Sequence, residues 1–69
     1  MKIILGQRLK ELREEKGLTQ KQFAEKLNIH SVTYLHYEKE HNEPPLALLA
    51  EIAKFYEVSV DYLLGLTDY

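Results

Sequence analysis

The stretch Thr19–Lys39, TQKQFAEKLNIHSVTYLHYEK, constrains the chain more than any other. It places apolar residues at helical spacing on both sides of one tight corner, Leu27-Asn28-Ile29. Ala24 stands one helical turn before Asn28. Its small side chain lets a second helix cross closely over the first. Asn28 occupies the point where the chain must leave the first helix, and that exit calls for a positive φ. Gly meets the demand most cheaply, and Asn is the next most tolerant residue. Leu27 and Ile29 flank the corner and are expected to point inward. Beyond it, Tyr34 and Tyr37 lie three apart and share one helical face.

The rest of the chain reads as helix as well. From Ile4 to Lys16, Leu5, Leu9 and Leu12 make a buried stripe, with Arg8, Lys10, Glu11, Glu14 and Glu15 on the other faces. Gly17 ends this helix in a left-handed cap, and Leu18 tucks in behind it. Thr19 is a good N-cap, and Gln22 three residues later completes a capping box. The second helix is expected over Gln20–Leu27, with Phe23, Ala24 and Leu27 inward. The third runs from about Ser31 to Glu38, capped by His30 or Ser31. Tyr34 and Tyr37 face in, Thr33 sits at the edge, and Ser31, Val32, Leu35 and His36 face out. A polar loop, Lys39–Pro44, follows. Pro45 suits the first turn of a fourth helix, whose core stripe is Leu46, Leu49, Ile52, Ala53 and Tyr56. Ser59 caps a short fifth helix, Val60–Leu64, and Gly65 ends it. No stretch alternates at period two for long enough to predict a strand. The expected fold is all-α, with five helices in one domain spanning residues 1–69.

Composition narrows the function. A chain of 69 residues makes a small core and no deep cleft, which argues against an enzyme. No nucleophile–base arrangement and no glycine-rich phosphate loop is present. With no cysteine, thiolate metal sites and disulfides are excluded. No two of His30, His36 and His41 stand four apart on a helix face, so neither a metal nor any other cofactor is expected. No apolar run is long enough for a membrane span, and Met1–Leu5 is too short for a signal core. A soluble, cytoplasmic protein is the expectation. Eleven acidic against nine basic residues give a net charge of -2, an unpromising balance for nucleic-acid binding unless the charges are locally arranged.

A small residue, a turn residue and inward apolar residues at the spacing of Thr19–Lys39 form the helix-turn-helix pattern, whose second helix suits a DNA groove. The sequence resembles the phage repressor and Cro family, the xenobiotic-response-element type of helix-turn-helix protein, over nearly its whole length. The resemblance rests on LGQRLKELREEKGLTQKQFAEKL at the start, on Tyr37-Glu38 with a polar loop to Glu43-Pro44, and on VSVDYLLG near the end. It implies a five-helix domain that binds double-stranded operator DNA, usually as a symmetric homodimer. By the same resemblance Gln20, beside Thr19, meets a phosphate at the entry to the second helix. Base reading falls to Ser31, Val32 and His36, with Leu35 on the same face. Lys21, Thr33, Lys39, His41 and Asn42 complete the expected phosphate-facing set. Arg13 and Glu38 match a pair that ties the third helix to the first, a structural role. The chain departs from the family in lacking Arg or Lys on the reading face and in carrying Glu40 where Gly is common. With no Arg to grip guanine bidentately, binding that is weak or depends on a partner, with a shallow salt response, is expected.

Leu48 and Phe55 fall off the predicted core stripe of the fourth helix. With Leu66 and Tyr69 they form a candidate apolar patch for a dimer or partner, though scattered exposed apolar residues are common. Two functions follow. One is a DNA-binding transcriptional regulator, a repressor reading the major groove from Ser31. The alternative is a protein-interaction module of the same fold, antitoxin-like, with little DNA binding. Ending at Gly65-Leu66-Thr67-Asp68-Tyr69 suits either a complete chain or the N-terminal piece of a longer repressor.

Overall fold

The computed structural model describes residues 4–68. It contains five helices: α1 (Leu5–Glu15), α2 (Gln20–Lys26), α3 (Ser31–Glu38), α4 (Leu46–Tyr56) and α5 (Val60–Leu64). No strand occurs among the described residues. Both α1 and α2 pack on α3, and α5 packs on α1 and α4. The predicted boundaries hold to within a residue at most ends.

One device ends all five helices. A residue with positive φ follows each: Gly17 (70°), Asn28 (59°), Glu40 (58°), Glu57 (57°) and Gly65 (84°). At each, the next residue's N–H bonds back to a carbonyl five residues earlier, as in Leu18 to Arg13, Ile29 to Ala24, His41 to His36, Val58 to Ala53 and Leu66 to Asp61. These are Schellman turns, which satisfy helix-end carbonyls that would otherwise lack partners. At the other ends, Thr19 and Gln22 form the predicted capping box, and Ser59 Oγ accepts from Tyr62 N–H. His30 holds the N-cap position of α3 without a side-chain bond.

The core gathers Leu5, Leu9 and Leu12 of α1, Phe23, Ala24 and Leu27 of the α2 region, Tyr34 and Tyr37 of α3, Leu49, Ile52, Ala53 and Tyr56 of α4, and Leu63 of α5. Phe23 is its hub. Its ring meets Tyr34 edge-on at 5.2 Å and leans on Tyr56 at 5.1 Å and Phe55 at 5.3 Å. Such pairs add about 0.5–1.5 kcal/mol each beyond burial. At Gly6 α1 approaches α3 too closely for a side chain, since a Cβ there would collide with the Glu38 carbonyl.

Two expectations for α4 are corrected. Leu46, predicted as core, is 77% exposed. Leu48, predicted off the core, is half-buried and packs against it. Leu48 stands one turn before Ile52, at the border of the same stripe. Leu46 points the right way round the helix but begins it, where no neighbour covers it. Periodicity sets direction about an axis, not how far along that axis the packing extends.

Candidate nucleic-acid interface

The corner at Leu27-Asn28-Ile29 forms as its residues require. Asn28 takes the left-handed conformation, and its N–H bonds the Glu25 carbonyl at 3.1 Å while Ile29 N–H reaches the Ala24 carbonyl at 3.0 Å. Leu27 is buried and Ile29 half-buried against the core. The corner turns α3 so that Tyr34, fully buried, and Tyr37 anchor its inner face. Its outer face starts with Ser31 and Val32, both exposed, Val32 at 60%. Leu35, His36 and Thr33 are half-buried along its flanks. Thr19, Lys21, Lys39, His41 and Asn42 are exposed and Gln20 is half-buried.

Beneath α3 lies the predicted ion pair. Arg13 Nε donates to Glu38 Oε2 at 2.7 Å, and the two side chains are only 11% and 5% exposed. Arg13 also donates to the Leu18 carbonyl at 2.8 Å. Gln20 joins them, its Nε2 donating to Glu38 Oε1 at 3.0 Å. Gln20 therefore links the start of α2 to the end of α3, a role the sequence reading missed. A polar residue at the first position of α2 gave no hint of which carboxylate it would meet. Burial raises the cost of charging Glu38, but the hydrogen bonds from Arg13 and Gln20, with the Tyr34 hydroxyl close by, outweigh it and hold its pKa below the ordinary value. Arg13 is raised by its bond to Glu38, against the opposing effect of burial. The Tyr34 hydroxyl is buried close to Glu38 without a well-aligned hydrogen bond, and burial first, then that carboxylate, push its pKa up.

The pair changes the surface charge. Lys21, Lys26 and Lys39 are exposed, while of the three nearby glutamates only Glu25 and Glu40 are. Glu38 is spent on Arg13. Within residues 19–40 this leaves three exposed lysines and two exposed glutamates, and exposed Glu43 follows in the next loop.

The far end of α3 holds a second grouping that sequence spacing hid. The His36 and His41 rings stand 5.5 Å apart, and Asn42 Nδ2 lies 3.5 Å from His36 Nδ1. The Schellman turn at Glu40 is the cause, because it folds His41 back over His36. Reading Glu40 as a left-handed cap would have revealed it. No group of three or more His, Cys, Asp or Glu suited to a metal ion exists among the described residues. No described helix is long and apolar enough to cross a membrane.

The predicted apolar patch is only partly open. Phe55 is 39% exposed but packs on Phe23 and Tyr56, and Leu66 is 44% exposed. Leu48 is turned toward the core, and Tyr69 lies outside the described residues.

The chain is similar to known proteins along most of its length. A helix-turn-helix family model matches residues 9–63. A transcriptional regulator of Bacillus subtilis, YobD, described as an uncharacterized HTH-type regulator, is 52% identical over 62 residues, covering 90% of this chain and 55% of that protein. The HTH-type transcriptional regulator ImmR of the same organism is 48% identical over 61 residues, covering 88% of this chain and 48% of its own length. A crystal structure of a transcriptional regulator from Listeria innocua superposes with a TM-score of 0.89 at 29% identity, covering 94% of this chain and 61% of that one. The chain thus spans about half the length of the curated relatives it matches. A helix-turn-helix model over most of the sequence, joined to the Asn28 corner and the outward edge of α3, makes the chain a member of the repressor and Cro-type helix-turn-helix family.

Proposed function

We propose that the chain is a sequence-specific DNA-binding transcriptional regulator that acts as a repressor, with residues 1–69 working as one helix-turn-helix unit. The observation that carries this is the exposed leading edge of α3, Ser31 and Val32, set on a helix whose opposite face is locked into the core. In this reading α3 enters the major groove. Ser31 offers a hydroxyl to a base edge, Val32 meets a thymine methyl, and His36 and Leu35 reach the flanking positions. The start of α2 faces a phosphate through Thr19, Gln20 and Lys21, because a helix N-terminus attracts anions. Thr33, Lys39, His41 and Asn42 meet the backbone on the other side. The chain performs no chemistry; it occupies an operator and excludes other proteins from it.

The homodimer belongs to the proposal. A single unit reads one half-site, and two copies related by a two-fold axis read sites about one helical turn apart. Phe55 and Leu66 offer exposed apolar area for that contact. The interaction-module alternative is not favoured, because the relatives are named as transcriptional regulators.

The test is selection from a random duplex pool at moderate salt. Enrichment of an inverted repeat with half-sites about ten base pairs apart is expected. No enrichment, under conditions where the protein is folded, would overturn the proposal.

A further inference from the structure

Lys39 is the only lysine or arginine between Ser31 and Pro45. The other nitrogen bases of that stretch are His36 and His41, and the fold brings them together. The Schellman turn at Glu40 bonds His41 N–H to the His36 carbonyl at 2.9 Å, and the two rings stand 5.5 Å apart, tilted by 51°. His41 is exposed and His36 half-buried. Neither ring is in an ion pair with a carboxylate among the described residues.

The surroundings leave the pair facing outward. Of the helices packed on α3, α1 turns Arg13 toward it and α2 turns Gln20, and both are taken up by Glu38. In the loop, Lys39, Glu40 and Glu43 are exposed. The stem of Glu40 lies over Gly6 of α1, and both loop glutamates line a hollow beside Leu5 and Leu64. His30 stands at the opposite end of α3, beside Glu25. Carboxylates and ammonium groups ordinarily titrate outside the interval between about pH 6 and pH 8, whereas imidazole titrates near it.

We infer that His36 and His41 form a proton-gated clamp for one backbone phosphate, so that DNA binding takes up protons and tightens as pH falls. The inference rests on the DNA-binding proposal and moves His36 from a base edge to the backbone. Two cationic rings this close oppose each other, so a first proton discourages a second. A phosphate oxygen between them reverses that, since each imidazolium N–H donates to it and an opposite charge favours the protonated form. Asn42 responds to the same proton. Its Nδ2 faces His36 Nδ1 at 3.5 Å, a contact in which the ring nitrogen can only accept. Protonation puts a hydrogen on Nδ1, ends that contact, and frees the amide N–H as a third donor to the phosphate.

The sign follows. The bound state holds more protons than the free state, so affinity rises as pH falls, by up to about tenfold per pH unit for each proton taken up. The contact is with a phosphate, so the effect is the same for every sequence and weakens with salt.

The experiment measures affinity for a short random-sequence duplex between about pH 6 and about pH 8 at fixed ionic strength, with circular dichroism confirming the fold at both ends. Tightening of about tenfold or more toward the acid end is expected. The double variant His36→Gln/His41→Gln should lose this response, each single variant should lose most of it, and His30→Gln should keep it. A DNA-free arm follows the ring proton signals of the three histidines in sodium sulfate and in sodium chloride of equal ionic strength, sulfate standing in for the phosphate diester. Sulfate should raise the titration midpoints of His36 and His41 together and leave that of His30 in place. Affinity independent of pH, or a response kept by the folded double variant, would overturn the clamp. If no duplex is bound at any pH while sulfate still moves both midpoints, the anion clamp stands and the DNA-binding reading fails.

Discussion

Removing Glu38 is the sharpest test of how α3 is held. In Glu38→Ala, Arg13 loses the 2.7 Å bond and keeps only the Leu18 carbonyl. Gln20 loses its acceptor as well. With side chains 11% and 5% exposed, the pair belongs with buried ion pairs, for which breaking one side costs about 3–5 kcal/mol. The surviving Leu18 bond places the expected cost at the lower end, about 3 kcal/mol. A chain of this length has roughly 3–10 kcal/mol in total. Each kcal/mol shifts the melting temperature of such a domain by about 4–8 °C, so a drop of about 12–24 °C is expected. Thermal and urea unfolding followed by far-ultraviolet circular dichroism measures it. The double variant Arg13→Met/Glu38→Leu should be more stable than Glu38→Ala, because neither charge is then stranded. The pH dependence has a definite sign. Glu38 has a lowered pKa in the folded state, so its contribution is full above the unfolded value of about 4.3 and is lost as pH falls through the lower folded value. The gap between wild type and Glu38→Ala should close over that acid range. A cost below about 0.5 kcal/mol, the range of exposed pairs, would refute the reasoning.

Other perturbations probe separate links. Gly6→Ala gains helix propensity, but its Cβ meets the Glu38 carbonyl; a net loss of about 1–3 kcal/mol is expected from overpacking, and unchanged urea stability would contradict the close α1–α3 approach. Glu57→Gly relieves a left-handed residue with φ of 57° and should raise stability by about 0.5–1 kcal/mol, a gain that a lower urea midpoint would disprove. In DNA binding, Val32→Ala should cost about 1 kcal/mol at its base pair alone, whereas Lys21→Ala should weaken all sequences alike and reduce the salt slope by about one; titrations on matched and altered operators at several salt concentrations separate the two. Phe55→Glu should shift sedimentation of the DNA-bound protein from two copies toward one, and no shift would remove Phe55 from the dimer contact.

The α1–α3 stripes, the Asn28 corner and the capping box were legible in the sequence because each rests on local physics. Helical period three to four, a residue tolerant of positive φ, and a hydroxyl three residues before an amide act within one or two turns. The same locality made Arg13 and Glu38 readable only through resemblance, since 25 residues separate them. Tertiary structure alone decided the rest. It left Leu46 uncovered and drew Leu48 in, because burial depends on where a neighbouring helix ends. It bonded Gln20 to Glu38 and folded His41 onto His36 through a left-handed glutamate. It also paired Glu38 with Arg13, so that neither charge stands open at the surface around α3. Charges are counted along a sequence, but the field a partner meets comes from those the fold leaves unneutralised.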